Sequence, residues 1–468
     1  MPHTLHYRPV ATALPAAEGK AVALDAVLAA RDARVARQQA LLAQGGVLLS
    51  LTLVAPGAVK RSPLLDAIFA AALDALRPHV GDARARQEAV DDGGHHALYL
   101  LDGDAHDWKK RVIALENRSP LARLWDIDII DRDGKPVSRR DLGLLPRRCL
   151  ICDDDAKTCA RERRHSIGEL QADIARRYRL HQQAQAIAAT MRDALITEAT
   201  LTPKAGLVDA AHNGGHDDMN LALFLHSADA IAPYLGDCAA TGMTFAGAPA
   251  SPAILAAIRP IGLAAEAAMY AATGGVNTHK GAIFAFGLIA AALGRRLAAQ
   301  GTATLAKVQD DVRAISAGLL AELRQSGDDS VGKRGYARHG ISGARGEAAG
   351  GYATVTRHAL PAYRQALAAD GNPRRALHLA LVTLYAVNDD STTLARVGLD
   401  GLRAHQHWAR QLLADRATLA DETRLAEAIA AYARDCAARR LSAGGSADLL
   451  ALTAWCGGQF TPNPGTPL

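Results

Sequence analysis

Apolar positions recur at helical spacing from Leu24 to Ala43, where Leu24, Val27, Leu28, Val35, Leu41 and Leu42 interleave with Arg31, Arg34 and Arg37. That pattern predicts an amphipathic helix, ended by Gly45-Gly46. Val47–Val54 (VLLSLTLV) has the length and composition of a strand, as does the shorter Ala97–Leu101. Leu64–Leu76 and Lys109–Asn117 predict two more helices. In Leu124–Ile130 (LWDIDII) acidic and apolar positions alternate. On a strand this period puts Asp126 and Asp128 on one face and Ile127 and Ile129 on the other. Ser166–Thr197 predicts a long helix that opens with Ser166 and Glu169 in capping-box spacing. Beyond residue 181 strands are hard to find, and helical segments alternate with Gly-rich polar loops. The expected architecture is a mixed α+β domain over residues 1–180 followed by a larger all-α domain over 181–468, with no Gly/Ser/Pro linker between them. Residues 1–20 predict a loosely held tail.

The polar loops carry the candidate chemistry. Thr273-Gly274-Gly275-Val276-Asn277-Thr278-His279-Lys280-Gly281 leads into the apolar segment Ala282–Leu293. This layout sets Asn277, Thr278, His279 and Lys280 at a helix N-terminus, where free N–H groups and the helix dipole favour an anion. Asn and Thr are also ordinary caps, so a capped helix with a chance lysine is the plainer alternative. Lys204, the run His216-Asp217-Asp218, Arg345, the run Asn388-Asp389-Asp390-Ser391 and Ser446 lie in the other loops. Two acidic clusters with Lys204, Lys280 and Arg345 supply what a Mg²⁺–triphosphate site needs. Glu198, Glu266 and His216 fit equally well as core or cap residues.

In the first part, Asp126 and Asp128 form a strand-borne DxD, a common way to hold Mg²⁺ with a nucleoside triphosphate. An exposed strand face has the same pattern. Lys60, Arg61 and Ser62 end the loop after the first strand and could meet phosphate oxygens, or form a solvated turn. Cys149, Cys152, Cys159 and His165 have the spacing C-x2-C-x6-C-x5-H. Close thiol pairs with a terminal His are a zinc-ligand pattern, although x6 is not a standard finger spacing and reduced, idle thiols give the same string. Seven arginines lie around them: Arg139, Arg140, Arg147, Arg148, Arg161, Arg163 and Arg164. They form a candidate dock for an acidic protein or a merely solvated face.

Composition narrows the class. The chain of 468 residues is 49% hydrophobic and only 4% aromatic, with a formal net charge of +5. Residues 1–180 hold 28 Lys/Arg against 24 Asp/Glu, and residues 181–468 hold 25 against 24. So small an excess points to an acidic partner or phosphorylated ligand and away from nucleic acid. Six cysteines in this length do not make a disulfide framework. The N-terminus lacks signal-peptide architecture and no uninterrupted apolar run reaches membrane-spanning length, so the expectation is a cytoplasmic protein with no membrane partner.

The motifs EATLTPKAGLVD, NGGHDDM, GVNTHKGAIF, GARGEA, NDDS and GGSADLLALT occur in this order in the second part. Together they closely resemble the triphosphoribosyl-dephospho-CoA synthases, the CitG family. SLTLVAPGAVKRSP, RLWDIDIID, SRRDLGL and RRCLICDDDAKTCARERRHS in the first part resemble CitX, the holo-citrate lyase synthase family. The chain looks like a CitX–CitG fusion. It departs from the family pattern at Ala122, Ala205, Ala210, Thr392, Val397 and Ala443; of these, only Ala210 replaces a charged residue.

The resemblance implies an N-terminal nucleotidyltransferase-like domain and a two-step pathway. In the CitG-like part, the 2′-hydroxyl of 3′-dephospho-CoA attacks C1′ of the ATP ribose and adenine leaves. The CitX-like part then transfers phosphoribosyl-dephospho-CoA to a serine of the apo acyl-carrier subunit of citrate lyase and releases pyrophosphate. On this basis Asp217, Asp218, Asp389 and Asp390 would bind Mg²⁺ or act as base. Lys204, Lys280 and Arg345, with Asn277, Thr278 and Ser446, would hold the nucleotide. His279 or His216 would protonate adenine. In the first part Asp126 and Asp128 would bind Mg²⁺ and Lys60 and Arg61 the phosphates. The rival expectations are a precursor synthase for malonate decarboxylase, one active half beside a docking half, and a zinc-dependent binding protein.

Overall fold

The computed structural model describes residues 4–9, 13–152, 154–324 and 331–462. The chain divides into two compact units, one of residues 11–183 and one of residues 1–10 together with 184–468. The first strand, β1 (Leu5–Tyr7), pairs antiparallel with the last, Phe460–Pro462. It is therefore part of the larger unit. Tyr7 is buried there, with its ring edge-on to Phe460 and its N–H donated to Ala303 O at 2.8 Å. This corrects the expected loose tail over its described residues 5–7, because an aromatic anchor and a strand partner 455 residues away in sequence hold them. Residues 1–3 and 10–12 lie outside the described residues.

The shorter unit holds α1 (Leu24–Leu42), β2 (Val47–Leu53), α2 (Pro63–Leu76), β3 (Ala85–Asp91), β4 (Gly94–Leu101), α3 (Ala105–Asn117), β5 (Trp125–Ile130), β6 (Pro136–Val137) and α4 (Ala156–Glu162). The strands form an antiparallel sheet in the order β3-β4-β2-β5-β6. One face is apolar: Leu49, Leu51, Tyr99, Ile127 and Ile129 pack with Ile68 and Phe69 of α2 and Trp108 and Val112 of α3. Ser62 starts α2 by accepting the Leu65 N–H, and Asp104 starts α3 by accepting from His106 and Asp107. The other face is apolar only at one end, where Leu48 and Leu98 meet Leu41 of α1. The DxD alternation in β5 is as the period predicts, with Asp126 and Asp128 exposed between buried Trp125, Ile127 and Ile129.

Helix α5 (Ile167–Thr200) runs through the boundary between the units. The larger unit continues with α6 (Leu221–Thr244), α7 (Pro252–Thr273), α8 (Lys280–Gln300), α9 (Leu305–Ile315), α10 (Leu319–Glu322), α11 (Val331–His339) and α12 (Gly343–Ala349). A π-turn over Val355–Ala359 leads into α13 (Leu360–Asp370), α14 (Pro373–Val387), α15 (Ser391–Ala414), α16 (Arg416–Ala420), α17 (Glu422–Ala438), α18 (Gly444–Gln459) and β7 (Phe460–Pro462). Helix α8 is the core helix, buried from Ala282 to Gly294 except for Phe284. It lies backbone to backbone on α6: a Cβ on Gly242 would stand 2.0 Å from Ala291 O, and one on Gly294 2.2 Å from Ala239 O. Helices α7 and α8 are long and apolar enough to cross a bilayer, with mean hydropathy of 1.4 and 1.6. Most of α8 is packed inside the protein, and α7 carries Arg259 and Glu266.

Buried neutral histidines mark this core. His405 stacks near Tyr385, Trp408 and Tyr432, and burial pushes its pKa down to about 4, helped by nearby Arg439. A histidine whose folded pKa is depressed binds its proton in the unfolded chain first. Its share of stability is therefore full above about pH 6.5 and is lost as pH falls towards 4. Replacing His405 by Phe is expected to flatten the pH dependence of unfolding free energy over pH 4–6.5 by about 1.4 kcal/mol per pH unit. Denaturant titrations at a series of pH values measure this slope.

Candidate functional sites

In the shorter unit the polar part of the sheet gathers charge. Register pairs Thr52 with Asp126 and Ser50 with Asp128 across β2 and β5, and Thr52 with His96 across β2 and β4. Helix α1 covers this face with its polar side: Arg37 reaches His96 at 3.2 Å and Asp91 at 3.1 Å, and Gln38 donates to Ser50 at 3.0 Å. Arg34 lies within the field of Asp128. Leu24, Leu28 and Val35 are left exposed. Over this part of the helix the expected amphipathic packing is thus inverted, because the sheet face under it is acidic and attracts its arginines, while Leu41 and Leu42 at its end pack on the sheet as the pattern predicts. Crowding by surrounding protein, then the Asp126 charge, raises the Asp128 carboxyl above its usual range. Arg147 meets Asp126 Oδ1 at 3.0 Å and donates to the carbonyls of Arg123 and Trp125. Lys60 donates to Ala55 O at 2.7 Å, while Arg61 is exposed and lies 4.0 Å from Asp66.

The larger unit contains a groove of about 1080 Å³. Its apolar wall comes from α7 and α8, with Leu255, Ile258, Leu263, Tyr270, Ile283 and Phe284. Its charged end joins the start of α8 (Asn277, Lys280), the α12 turn (Arg345, Glu347), the loop before α15 (Asn388, Asp389, Asp390), Arg396 and Asp448 of α18. Lys280 pairs with Glu266 at 2.8 Å. Asp448 sits against the start of α8, where a Cβ on Gly281 would stand 1.9 Å from its Oδ2, so a side chain there would displace the Asp448 carboxylate. Burial pushes the Asp448 carboxyl far up, and Glu198 and Asp390 push it further. Burial also raises Glu347, whose Oε1 accepts from Thr354 at 2.5 Å and whose Oε2 is buried without a partner. Tyr352 beside it has φ of 57° and a buried hydroxyl without a partner. A non-glycine residue in the left-handed region thus lies beside two buried polar atoms without partners.

Several sequence candidates have other places in the structure. Lys204 is closed off from the groove: it is buried, donating to Glu198 Oε1 at 2.6 Å and Glu198 O at 2.7 Å, so it balances charge inside the protein and cannot reach a triphosphate. Asp390 caps α15 by accepting from Thr392 and Thr393 N–H, and accepts both N–H and Oγ–H of Ser446. Both of its oxygens, and the Ser446 hydroxyl, are thus engaged in clasping α15 to α18. His279 is buried, hydrogen-bonds Ser227 at 2.8 Å, and is pushed by burial and Lys204 to about 3; it is neutral at physiological pH and no source of a proton. Thr278 also donates to Ser227. Asp217 and Asp218 do not line the groove but face solvent at 81% and 63% exposure, with Asp217 on Arg440. His216 bonds Ser442 at 3.0 Å and Arg396 at 3.2 Å, at the groove's rim. Asn277, Lys280, Arg345 and Asp389 do come together in the groove. Sequence reasoning left out Asp448 and Glu347 as site residues, although both lie in loops it singled out; Asp448 stands two residues after Ser446 in GGSAD. In the arginine-rich stretch, Arg139 pairs with Glu116 at 2.8 Å and Arg147 with Asp126, so these two hold the fold of the loop and are not open docking charges.

Each unit thus holds a charged site of its own in which carboxylates and cations lie together. The family model of CitG, ATP:dephospho-CoA triphosphoribosyl transferase, matches residues 184–459, and that of CitX, apo-citrate lyase phosphoribosyl-dephospho-CoA transferase, matches residues 22–181. Protein CitXG of Haemophilus influenzae is 40% identical over 93% of this chain and 96% of its own length. Protein CitXG of Leuconostoc mesenteroides is 32% identical over 84% and 88%. The 2-(5''-triphosphoribosyl)-3'-dephosphocoenzyme-A synthase of Haemophilus ducreyi is 38% identical over 65% of this chain and 97% of its own length. The chain belongs to the CitG family, fused to a CitX domain, and is an enzyme of citrate lyase maturation with a synthase part and a transferase part.

Proposed function

We propose that the groove joins ATP to 3′-dephospho-CoA and that the acidic sheet face passes the product to a carrier serine. The carrying observation is the groove itself: an apolar wall for an adenine or a pantetheine arm runs into an end where Lys280, Arg345 and Arg396 lie beside buried carboxylates. Its volume, about 1080 Å³, suits two nucleotide-sized molecules better than one.

In the first reaction the dephospho-CoA 2′-oxygen bonds to C1′ of the ATP ribose as the C1′–N bond to adenine breaks. Glu347 accepts the hydroxyl proton, since its unpartnered Oε2 and raised pKa suit a general base, and adenine takes up one proton from solvent as it leaves, so protons balance over the turnover. Lys280, Arg345 and Arg396 hold the triphosphate, and the negative field of Asp389 favours the oxocarbenium-like centre. In the second reaction the carrier serine oxygen bonds to the α-phosphorus and pyrophosphate leaves with the broken P–O bond. Arg34, Lys60 and Arg147 then face the growing negative charge.

The carboxylates fit divalent cations in both places. Burial, then the Asp126 charge, raises Asp128, and burial, then the charges of Glu198 and Asp390, raises Asp448; a bound cation would offset the cost of holding these carboxylates ionised. Asp126 and Asp128 would hold one Mg²⁺ and Asp389 and Asp448 another. Bound Mg²⁺ supplies charge neutralisation and in-line alignment of the phosphates. The carrier would be the apo acyl-carrier subunit of citrate lyase, by the function of the CitX family. We place the protein in the cytoplasm, the compartment of ATP, CoA precursors and reduced thiols such as its six free cysteines.

The test of the synthase reading is adenine release by the full chain from ATP and Mg²⁺. Release that requires dephospho-CoA, with one adenine formed per triphosphoribosyl product, is expected. Adenine release at the same rate without dephospho-CoA, or none with it, would overturn the assignment.

A further inference from the structure

Cys149, Cys152, Cys159 and His165 converge in the shorter unit so that one ligand atom from each lies within 4.8 Å of all the others. The Cys152 and Cys159 sulfurs are 3.9 Å apart. A disulfide needs about 2.05 Å, whereas two thiolates at corners of a zinc tetrahedron with bonds of about 2.3 Å stand about 3.8 Å apart. His165 Nε2 is buried with no hydrogen-bond partner. A buried imidazole nitrogen left unpaired costs free energy unless something fills the gap.

The backbone is folded to bring these four groups together. Cys149 N–H donates to Asp154 O at 2.8 Å and Ala156 N–H to Arg147 O at 2.9 Å, which closes the C-x2-C turn over the start of α4. Arg163, with φ of 50°, ends α4 in the left-handed region and turns the chain so that His165 comes back to Cys159. Apolar contact within the excursion is limited to Leu150, packed on the sheet core, and Cys159, the one buried residue of α4, while Ile151 is exposed. Arg148, Arg161, Arg163 and Arg164 lie next to the ligands in sequence, Arg164 pairing with Asp154 and Glu162. They favour the thiolate forms and offset the single net negative charge of a Cys3His–Zn²⁺ centre.

We propose that these four residues bind one Zn²⁺ in a closed structural site. Its four protein ligands leave no open position, so the ion holds the loop and takes no part in either reaction. The loop it closes begins at Arg147, the residue that meets Asp126 at 3.0 Å and ties down the carbonyls of Arg123 and Trp125. Zinc is thereby a brace for the DxD strand.

The experiment uses the full chain purified without chelator. Elemental analysis is expected to give about one zinc per chain, and Cys152→Ser or His165→Ala about none. Because a variant could fail to fold, the wild-type protein is also stripped and reloaded with Co²⁺ alone. A thiolate-to-cobalt charge-transfer band with tetrahedral d–d absorption is the expected spectrum. Arg161, Arg163 and Arg164 are already exposed, so stripping should act by loosening the backbone around them, with trypsin cleavage there rising about tenfold or more and reversed by Zn²⁺. Protein that holds no metal after growth in zinc-supplemented medium and gives no thiolate–cobalt band would overturn the proposal. So would a Cys152–Cys159 disulfide in the protein as purified, or trypsin cleavage unchanged by chelation.

Discussion

Asp126→Asn is expected to slow transfer from pre-formed triphosphoribosyl-dephospho-CoA to the carrier by on the order of 10³-fold while adenine release stays at the wild-type rate. The loss corresponds to about 4 kcal/mol, the scale of transition-state charge stabilisation that a metal-binding carboxylate supports. The amide keeps the shape of the side chain and can still pair across the strand, and Asp126 is exposed, so stability should change little. A fall in melting temperature with unchanged transfer would assign Asp126 to the Arg147 contact alone. Loss of both activities would show that the two sites do not work independently.

Glu347→Gln is expected to act on the other reaction, lowering kcat for adenine release by between about 10² and 10⁴ with little change in KM for ATP. The pH profile provides the sharper readout. Burial raises the Glu347 carboxyl. A base works only when deprotonated, so wild-type activity should fall as pH drops through this raised pKa and level off above it. The Gln variant should lack that inflection. Wild-type activity in the variant, or an inflection that persists, would remove Glu347 from the role of base and leave it as a partner of Thr354.

Periodicity made most elements legible in the sequence. The apolar–acidic alternation in β5 needed no tertiary information, and neither did the buried run of α8 or the cap of α5, whereas Ser62, in sequence a loop hydroxyl, caps α2. Strand β3 was hidden because ARQEAVD lies at the sheet edge with both faces largely solvated, so no apolar period marks it. Helix α1 had the right bounds and, before Leu41, the wrong face. An apolar stripe predicts burial of Leu24, Leu28 and Val35, but the helix docks on acidic groups through Arg34 and Arg37. Charge attraction across a sheet face is a long-range fact that local periodicity does not carry.

The sites divide in the same way. Asn277 and Lys280 could be placed from sequence because a glycine-led helix start has a fixed local geometry. Lys204 and Asp390 could not: a lysine in a loop and an aspartate before a helix look alike whether they face solvent or are sealed in the core. Their partners, Glu198 and Ser446, are six and 56 residues away. Asp217 and Asp389 read alike as adjacent acidic pairs, yet the first faces solvent and the second lines the groove. The unpartnered oxygen of Glu347 and the left-handed Tyr352 are visible only once the chain is folded.

The most direct measurement is the intact mass of apo acyl-carrier subunit after incubation with the full chain, ATP, Mg²⁺ and 3′-dephospho-CoA. The expected result is a mass gain of one phosphoribosyl-dephospho-CoA group on a single serine, with one adenine and one pyrophosphate released per carrier. A carrier whose mass is unchanged, both in this mixture and when pre-formed triphosphoribosyl-dephospho-CoA is supplied, would contradict the account of the acidic sheet face as the transferase site.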